Sequence, residues 1–234
     1  MKPYDPAVIL DAPQESFADA VAAVVAARRA NFALIQAFSR AWYHAPYTYG
    51  SVRVFGTTCL KTPTDLWLYQ ELIGRLRPGT IVETGTAFGG SALWFALCCD
   101  GWGLPADVRV VTVDPVARPN RPTHPRLVYV EGDSADPAVL PELLATAPSP
   151  WLISLDSDHR ASHVARELAL IEPLTLPGDY VVVEDTCVDR LAPDEPGPYA
   201  AVADFLAQLP AWQQDGWCER FWLTFSPGGW LFKT

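Results

Sequence analysis

Residues 79–91 read Gly79-Thr80-Ile81-Val82-Glu83-Thr84-Gly85-Thr86-Ala87-Phe88-Gly89-Gly90-Ser91. An apolar run of strand length, an acid near its end, a glycine-rich turn and an apolar continuation predict a buried strand that turns sharply into a helix. A second run, Arg109-Val110-Val111-Thr112-Val113-Asp114, ends on another carboxylate about one helix further along, where an adenosine ribose would present two hydroxyls. The glycines follow Glu-x-Gly-x-x-x-Gly-Gly and not the Gly-x-Gly-x-x-Gly that cradles a pyrophosphate. An adenosine cofactor without phosphates therefore matches better, and S-adenosylmethionine has that form. Glu83 and the backbone of residues 85–91 would face its amino acid end and Asp114 its ribose.

Outward from this stretch, strands and helices alternate. Strands are expected at 80–84, 109–113, 126–131, 151–155 and 180–183, and helices at 90–99, 137–146, 162–171 and 199–208. Short apolar strands between amphipathic helices imply a mostly parallel sheet covered on both faces. Residues 219–225 and 230–233 flank Ser226-Pro227-Gly228-Gly229, which signals an antiparallel C-terminal hairpin. This is an α/β, Rossmann-like arrangement of the class I methyltransferase kind. Upstream, Thr62 or Thr64 can cap a helix running to about residue 77, and apolar spacing over 14–43 predicts one or two further helices. One domain over 1–234 is expected, with 1–50 as a helical cap or oligomerisation segment and 51–234 as the core.

Composition narrows the partners. A net charge of −10 argues against nucleic acid and anionic membrane surfaces, and no stretch approaches the ~20 apolar residues of a membrane span. The N-terminus lacks the apolar segment of a signal peptide, and five cysteines without Cys-x-x-Cys spacing read as reduced, buried thiols. A cytoplasmic protein acting on a small molecule is expected. The apolar N-terminal helices favour a homo-oligomer.

Acids gather at the expected strand ends: Glu83, Asp114, Asp133, then Asp156 and Asp158 in Leu155-Asp156-Ser157-Asp158-His159, then Glu184 and Asp185. Four carboxylates on two neighbouring strand ends repel one another unless a positive group lies between them. Oxygen-only ligands suit Mg2+, which would acidify a substrate hydroxyl beside the cofactor's methyl group. His159 is a candidate to take the proton, while His163, on a helix face, reads as structural. The alternative is that these acids cap helices, as Asp156 or Ser157 could for the helix near 162.

Several stretches in order resemble the cephalosporin hydroxylase / rhamnosyl O-methyltransferase family: Lys61-Thr62-Pro63, Asp65-Leu66-Trp67, Tyr69-Gln70-Glu71, Val82-Glu83-Thr84-Gly85-Thr86, Gly89-Gly90-Ser91, Leu155-Asp156-Ser157-Asp158-His159, His163-Val164, Val183-Glu184-Asp185-Thr186, Gly197-Pro198 and residues 223–230. The likeness spans about residues 50–233. It implies a Rossmann-like fold, S-adenosylmethionine, Mg2+ and methyl transfer to a hydroxyl of a natural product, such as a deoxysugar in antibiotic biosynthesis. Carried over by motif, the metal ligands are Asp158, Glu184 and Asp185, although related sugar methyltransferases point to Asp156 in place of Asp158.

In the expected site His159 or Asp156 receives the proton. Lys61, Glu83, Gly85, Thr86, Gly89, Ser91, Asp114, Asp133, Ser134 and Asp156 hold the cofactor, with Lys61 closing over its carboxylate end. Trp42, Tyr43, Tyr47, Tyr49 and Trp230 are candidates for an aromatic acceptor wall. Two rivals use the same residues: a metal-dependent hydroxylase or hydrolase, and a cofactor-binding subunit that activates a partner protein.

Overall fold

Residues 14–191 and 196–234 are described by a computed structural model. The chain begins with α1 (Gln14–Ala30) and α2 (Phe32–His44), followed by a small hairpin of β1 (Arg53–Val54) and β2 (Thr57–Thr58). Then come α3 (Pro63–Leu76), β3 (Thr80–Thr84), α4 (Gly90–Gly101), β4 (Arg109–Asp114), β5 (Leu127–Glu131), α5 (Leu140–Thr146), β6 (Trp151–Leu155) and α6 (Ala161–Ile171). β7 (Tyr180–Val183), α7 (Val188–Leu191), α8 (Pro198–Gln208), β8 (Trp212–Gln214) and β9 (Trp230–Lys233) complete it.

The main sheet has the order β5-β4-β3-β6-β7-β9-β8. β3 to β7 pair in parallel, and β9 runs antiparallel between β7 and β8. This is the class I methyltransferase fold.

Alternation along the strands assigns the two cores. Ile81, Leu152, Tyr180 and Val182 pack with Tyr69, Leu72 and Ile73 of α3 and Phe95 and Cys99 of α4. Their sequence neighbours Val82, Ile153, Val181 and Val183 point the other way, onto Leu144 of α5, Val164 and Leu168 of α6, and Val202 and Phe205 of α8. Because successive strand side chains face opposite sides, strands covered on both faces read as unbroken apolar runs. Each such side chain contributes about 1.5–3 kcal/mol by leaving water.

Thr62 caps α3, accepting from the Asp65 N–H at 3.0 Å, with Pro63 in the first turn where no N–H is needed. α5 starts at Leu140, later than expected, because a turn held by Asp136, which accepts from the Ala138 N–H at 2.9 Å, occupies 136–139.

The C-terminal hairpin exists, but its first strand is β8 and not residues 219–225. Asp215 caps a short 3-10 turn over Gly216–Glu219, and the chain then loops outward. Residues 223–225 are drawn to α3 instead: Thr64 Oγ1 donates to the Leu223 carbonyl at 2.7 Å, and Asp65 Oδ2 accepts from the Phe225 N–H at 2.8 Å. Those backbone groups are therefore unavailable to the sheet.

α1 and α2 fold back on this loop. Phe17 meets Trp217 at 5.3 Å between ring centroids, Arg28 pairs with Glu219, and Trp42 and Tyr43 pack on Phe225. Among the described residues no single helix is long and apolar enough to cross a membrane, and only the pair α1–α2, bent by 75°, passes by length and composition. The five cysteines are buried and free.

Candidate active site

The carboxyl ends of β3, β4, β6 and β7 open on one cleft. Its two chambers, of about 340 and 580 Å3, share Gly85, Asp114, Ser157 and His159 in their walls. Gly85 has φ +87°, and a Cβ there would stand 1.8 Å from the Asp156 carbonyl oxygen. Only glycine permits that approach. The glycine-rich turn and the acidic stretch, far apart in sequence, thus share a wall.

Lys61, 2% exposed, is the cation between the acids. Its ammonium donates to Asp156 Oδ2 at 2.8 Å and to Glu184 Oε1 at 2.5 Å. Burial alone would lower its pKa, but the charges of Asp156, Glu184 and Glu83 outweigh this and hold it well above the usual lysine value. Glu184 Oε1 also accepts from Tyr69 at 2.6 Å and Ser154 at 2.5 Å, so this carboxylate is enclosed by donors. Burial is the main force raising Glu184, opposed by Lys61.

Asp185 follows with φ +52°, a left-handed conformation unusual outside glycine. Its Oδ2 lies 3.3 Å from His159 Nε2, which is 3.5 Å from Asp156 Oδ1. Ligand atoms of Asp156, His159 and Asp185 all fall within 4.8 Å of one another. Desolvation and then the charge of Asp156 raise Asp185 to about 7. For His159 burial works downward, yet the hydrogen bond to Asp156 and the charge of Asp185 raise it to about 9.

Asp158 is placed elsewhere. Its oxygens accept from the Arg160 backbone N–H at 2.9 Å and from the Arg160 guanidinium at 2.5 and 3.0 Å, which together hold it down at about 2. It faces the larger chamber beside Asp133, Ser134 and His163 and is no part of the Asp156–His159–Asp185 group. Of the expected metal set, then, Asp185 stands in that group, Glu184 is bound by Lys61, Tyr69 and Ser154, and Asp158 is turned to Arg160.

The cofactor-side residues sit around the glycine turn. Glu83 Oε2 accepts from Thr112 at 2.7 Å, which is joined to Thr86 at 2.7 Å, while Glu83 Oε1 is buried with no hydrogen-bond partner. Burial raises Glu83 to about 7, against the opposing pull of Lys61. Gly89, at φ +80°, precedes α4, whose Ser91 lines the smaller chamber. Asp114 lines both chambers, but each of its oxygens already accepts a backbone N–H, from Val116 at 2.8 Å and from Ala87 at 2.9 Å. It therefore shapes the turn as well as facing the cavity. His163 lies 3.7 Å from buried Glu167 and 3.4 Å from Ser134.

Comparison with known proteins gives this arrangement a family. Residues 46–234 match the family described as "Rhamnosyl O-methyltransferase/CmcI". The chain belongs to that family. Rhamnosyl O-methyltransferase of Mycobacterium tuberculosis (strain ATCC 25618 / H37Rv) is 34% identical over 205 residues, covering 82% of each chain. The Mycobacterium leprae (strain TN) protein of the same name is 33% identical over 205 residues, covering 82% of this chain and 87% of its own. Among solved structures, a CmcI structure with Mg and SAM superposes over 83% of each chain at TM-score 0.64 and 22% identity. An O-methyltransferase from Bacillus cereus in complex with SAH does so over 66% of this chain and 73% of that one, at TM-score 0.51 and 20% identity. At such identities the likeness is one of fold.

Within this family member the aromatic wall differs from the sequence expectation. Tyr43, Tyr49 and Phe225 line the smaller chamber, with Tyr43 stacked on Tyr49 at 5.2 Å. Trp42 packs behind them, Tyr47 is 91% exposed, and Trp230 is 1% exposed in the core against Tyr69. The sequence motifs included Tyr69 and Phe225 without giving either a part in the site, and Ser154 was missed. A serine inside the otherwise apolar strand Trp151–Leu155 was an available signal for the last.

Asp65, which holds Phe225, likewise stood in a motif without a role. It is 1% exposed, and burial pushes its carboxyl up to about 6. The native chain thus binds this proton more tightly than the unfolded chain, whose Asp titrates near ~3.9. The stabilisation is full below about pH 4 and is lost as pH rises through the folded value. Asp65→Asn keeps an acceptor for Phe225 without the charge. It is expected to exceed wild type in stability by about 3 kcal/mol at neutral pH and to match it near pH 4. Urea unfolding at both pH values checks this, and an equal difference at both would refute it.

Proposed function

We propose that this chain is an S-adenosylmethionine- and Mg2+-dependent O-methyltransferase acting on a hydroxyl of a small natural product, foremost a deoxysugar such as a rhamnosyl group, in antibiotic or polyketide biosynthesis. One observation carries the reading: the glycine turn typical of an adenosine cofactor and the Asp156–His159–Asp185 group meet backbone to backbone in a single cleft. Family membership and the mycobacterial relatives' name support it.

The residues present fit both groups. Hard carboxylate oxygens on Asp156 and Asp185, with Glu184 behind them, suit Mg2+. The open turn over residues 85–91, the buried unpartnered oxygen of Glu83, and Asp133 and Ser134 in the larger chamber suit the cofactor. When bound, Mg2+ would supply the charge that orients and acidifies the acceptor hydroxyl.

Without a metal, Asp156 and Asp185 keep His159 protonated up to about 9; with Mg2+ on those carboxylates that value would fall and Nε2 could take the proton that this hydroxyl loses when its oxygen takes the methyl group. Asp156 and Asp185 flank the imidazolium so formed. Burial opposes the charges of Asp156 and Glu184, and Lys61 counters it, favouring their ionised forms. Tyr43, Tyr49 and Phe225 offer ring faces to a sugar, so the N-terminal segment contributes to the acceptor wall. Alignment inside the cleft supplies much of the acceleration.

Asp156 and Asp158 separate this reading from the carried-over ligand set. Asp156→Asn is expected to lower kcat/KM about 100- to 1,000-fold, whereas Asp158→Asn changes it by less than about fivefold. Methyl transfer from radiolabelled cofactor to a panel of rhamnosides, in Mg2+ and in chelator, measures both. An Asp158 variant as inactive as the Asp156 variant would overturn the assignment. Turnover without the cofactor would favour a hydroxylase or hydrolase.

Cytoplasmic location and homo-oligomerisation belong to the same proposal. The buried free thiols suit a reducing compartment, and Leu34 and Phe38 expose 61% and 53% of their surface on one side of α2. Cell fractionation and light scattering test these; a secreted protein or a monomeric mass would contradict them.

A further inference from the structure

A pocket of about 260 Å3 lies where the α1–α2 bend meets α7 and the loop before β9, and it shares no lining residue with either chamber of the cleft. Three of its residues are arginines, Arg28, Arg29 and Arg190, and one, Glu219, is an acid. That local excess of positive charge occurs in a chain of net charge −10.

Glu219 is already committed. It pairs with Arg28, and its Oε1 accepts from the Gly228 N–H at 2.5 Å. Arg190 is held between two rings, 5.2 Å from the centroid of Phe32 and 4.8 Å from that of Tyr199. Among the described residues neither Arg29 nor Arg190 has a carboxylate or a hydrogen-bond acceptor for its guanidinium.

Arg28 and Arg29 occupy the last turn of α1, where cations suit the helix dipole. That accounts for the α1 pair, but Arg190 arrives from a separate element. Burial, and then the charge of Arg190, lower Arg28 to about 10, so the like charges sense one another. An anion would relieve that repulsion.

The geometry points to a binding site for a phosphoryl group, its oxygens taken by Arg29 and Arg190 with Arg28 beside them, and its organic substituent resting on Phe32 and Tyr199. Guanidinium forks match phosphate oxygens, and several of them around one pocket favour a dianion over a carboxylate. Two sources carry this chemistry, a soluble phosphate ester or diphosphate and a phospholipid headgroup.

Pyrophosphate titrated calorimetrically into the full chain at low salt is the first probe. We expect binding that weakens about tenfold or more, some 1.4 kcal/mol, in the Arg29→Gln/Arg190→Gln double variant, with its melting temperature unchanged. As a check independent of mutation, pyrophosphate should protect Arg29 and Arg190 of the wild type from phenylglyoxal, mapped by mass spectrometry. Sedimentation with phosphatidate vesicles against phosphatidylcholine vesicles separates the sources. Wild-type retention on phosphatidate alone, lost in the double variant, assigns a headgroup, and pyrophosphate binding without retention assigns a soluble ligand. Absence of binding at millimolar pyrophosphate together with no retention, an unchanged affinity in the double variant, or protection spread evenly over the arginines would overturn the proposal.

Discussion

Lys61→Met is expected to destabilise the protein by about 3–5 kcal/mol and to abolish methyl transfer. The ammonium is buried and hydrogen-bonded to Asp156 and Glu184, and these carboxylates are held in turn by Tyr69, Ser154 and His159. Methionine fills similar volume but leaves two buried acids without their shared cation. They must then either stay ionised at a high desolvation cost or take up protons and rearrange. Urea unfolding measures the first effect and turnover at saturating cofactor the second. A loss of under about 1 kcal/mol would mean that the carboxylates are already neutral or solvated, contrary to the burial and distances above. Partial recovery of stability on adding Mg2+ to the variant would place the lost positive charge in the same site that the proposed function assigns to the metal.

Gly85→Ala should be comparably severe for a different reason. The backbone there has φ +87°, where an L side chain is strained, and the new methyl group would meet the Asp156 carbonyl oxygen at 1.8 Å. Backbone, not a flexible side chain, has to move. A cost of at least about 3 kcal/mol follows, together with a displacement of Asp156 that lowers kcat/KM by more than about 100-fold. Thermal unfolding and cofactor binding by calorimetry read the two consequences separately. Near-normal values for both would show that the turn and the acidic stretch are not in contact.

The strand positions were legible because burial on both faces leaves its mark in composition. β3, β6 and β7 lie where continuous apolar runs placed them, since a parallel strand between two helical layers has no solvent face to encode. α3 was equally legible from Thr62 and Pro63, because capping depends on neighbours only a few residues apart. The C-terminal hairpin was legible as a pairing but not in its first strand. Residues 223–225 have strand-like composition, yet Thr64 and Asp65, some 160 residues away, take their backbone groups.

The acids divide along the same line. Composition and spacing by themselves determined that carboxylates would collect at the strand ends of a class I methyltransferase fold beside a glycine turn, because strand order and chain direction bring every strand's carboxyl end to one edge. They did not determine which carboxylate would face which partner. Asp158 turns to Arg160, two residues away, while Asp156 turns to Lys61, 95 residues away, and Asp185 is aimed at His159 through a left-handed backbone. Local sequence records burial and capping, which act over a few residues. The direction of a side chain in a loop is set by charges and backbone contacts that only the folded chain assembles, and in this protein those contacts run through Lys61 and Gly85.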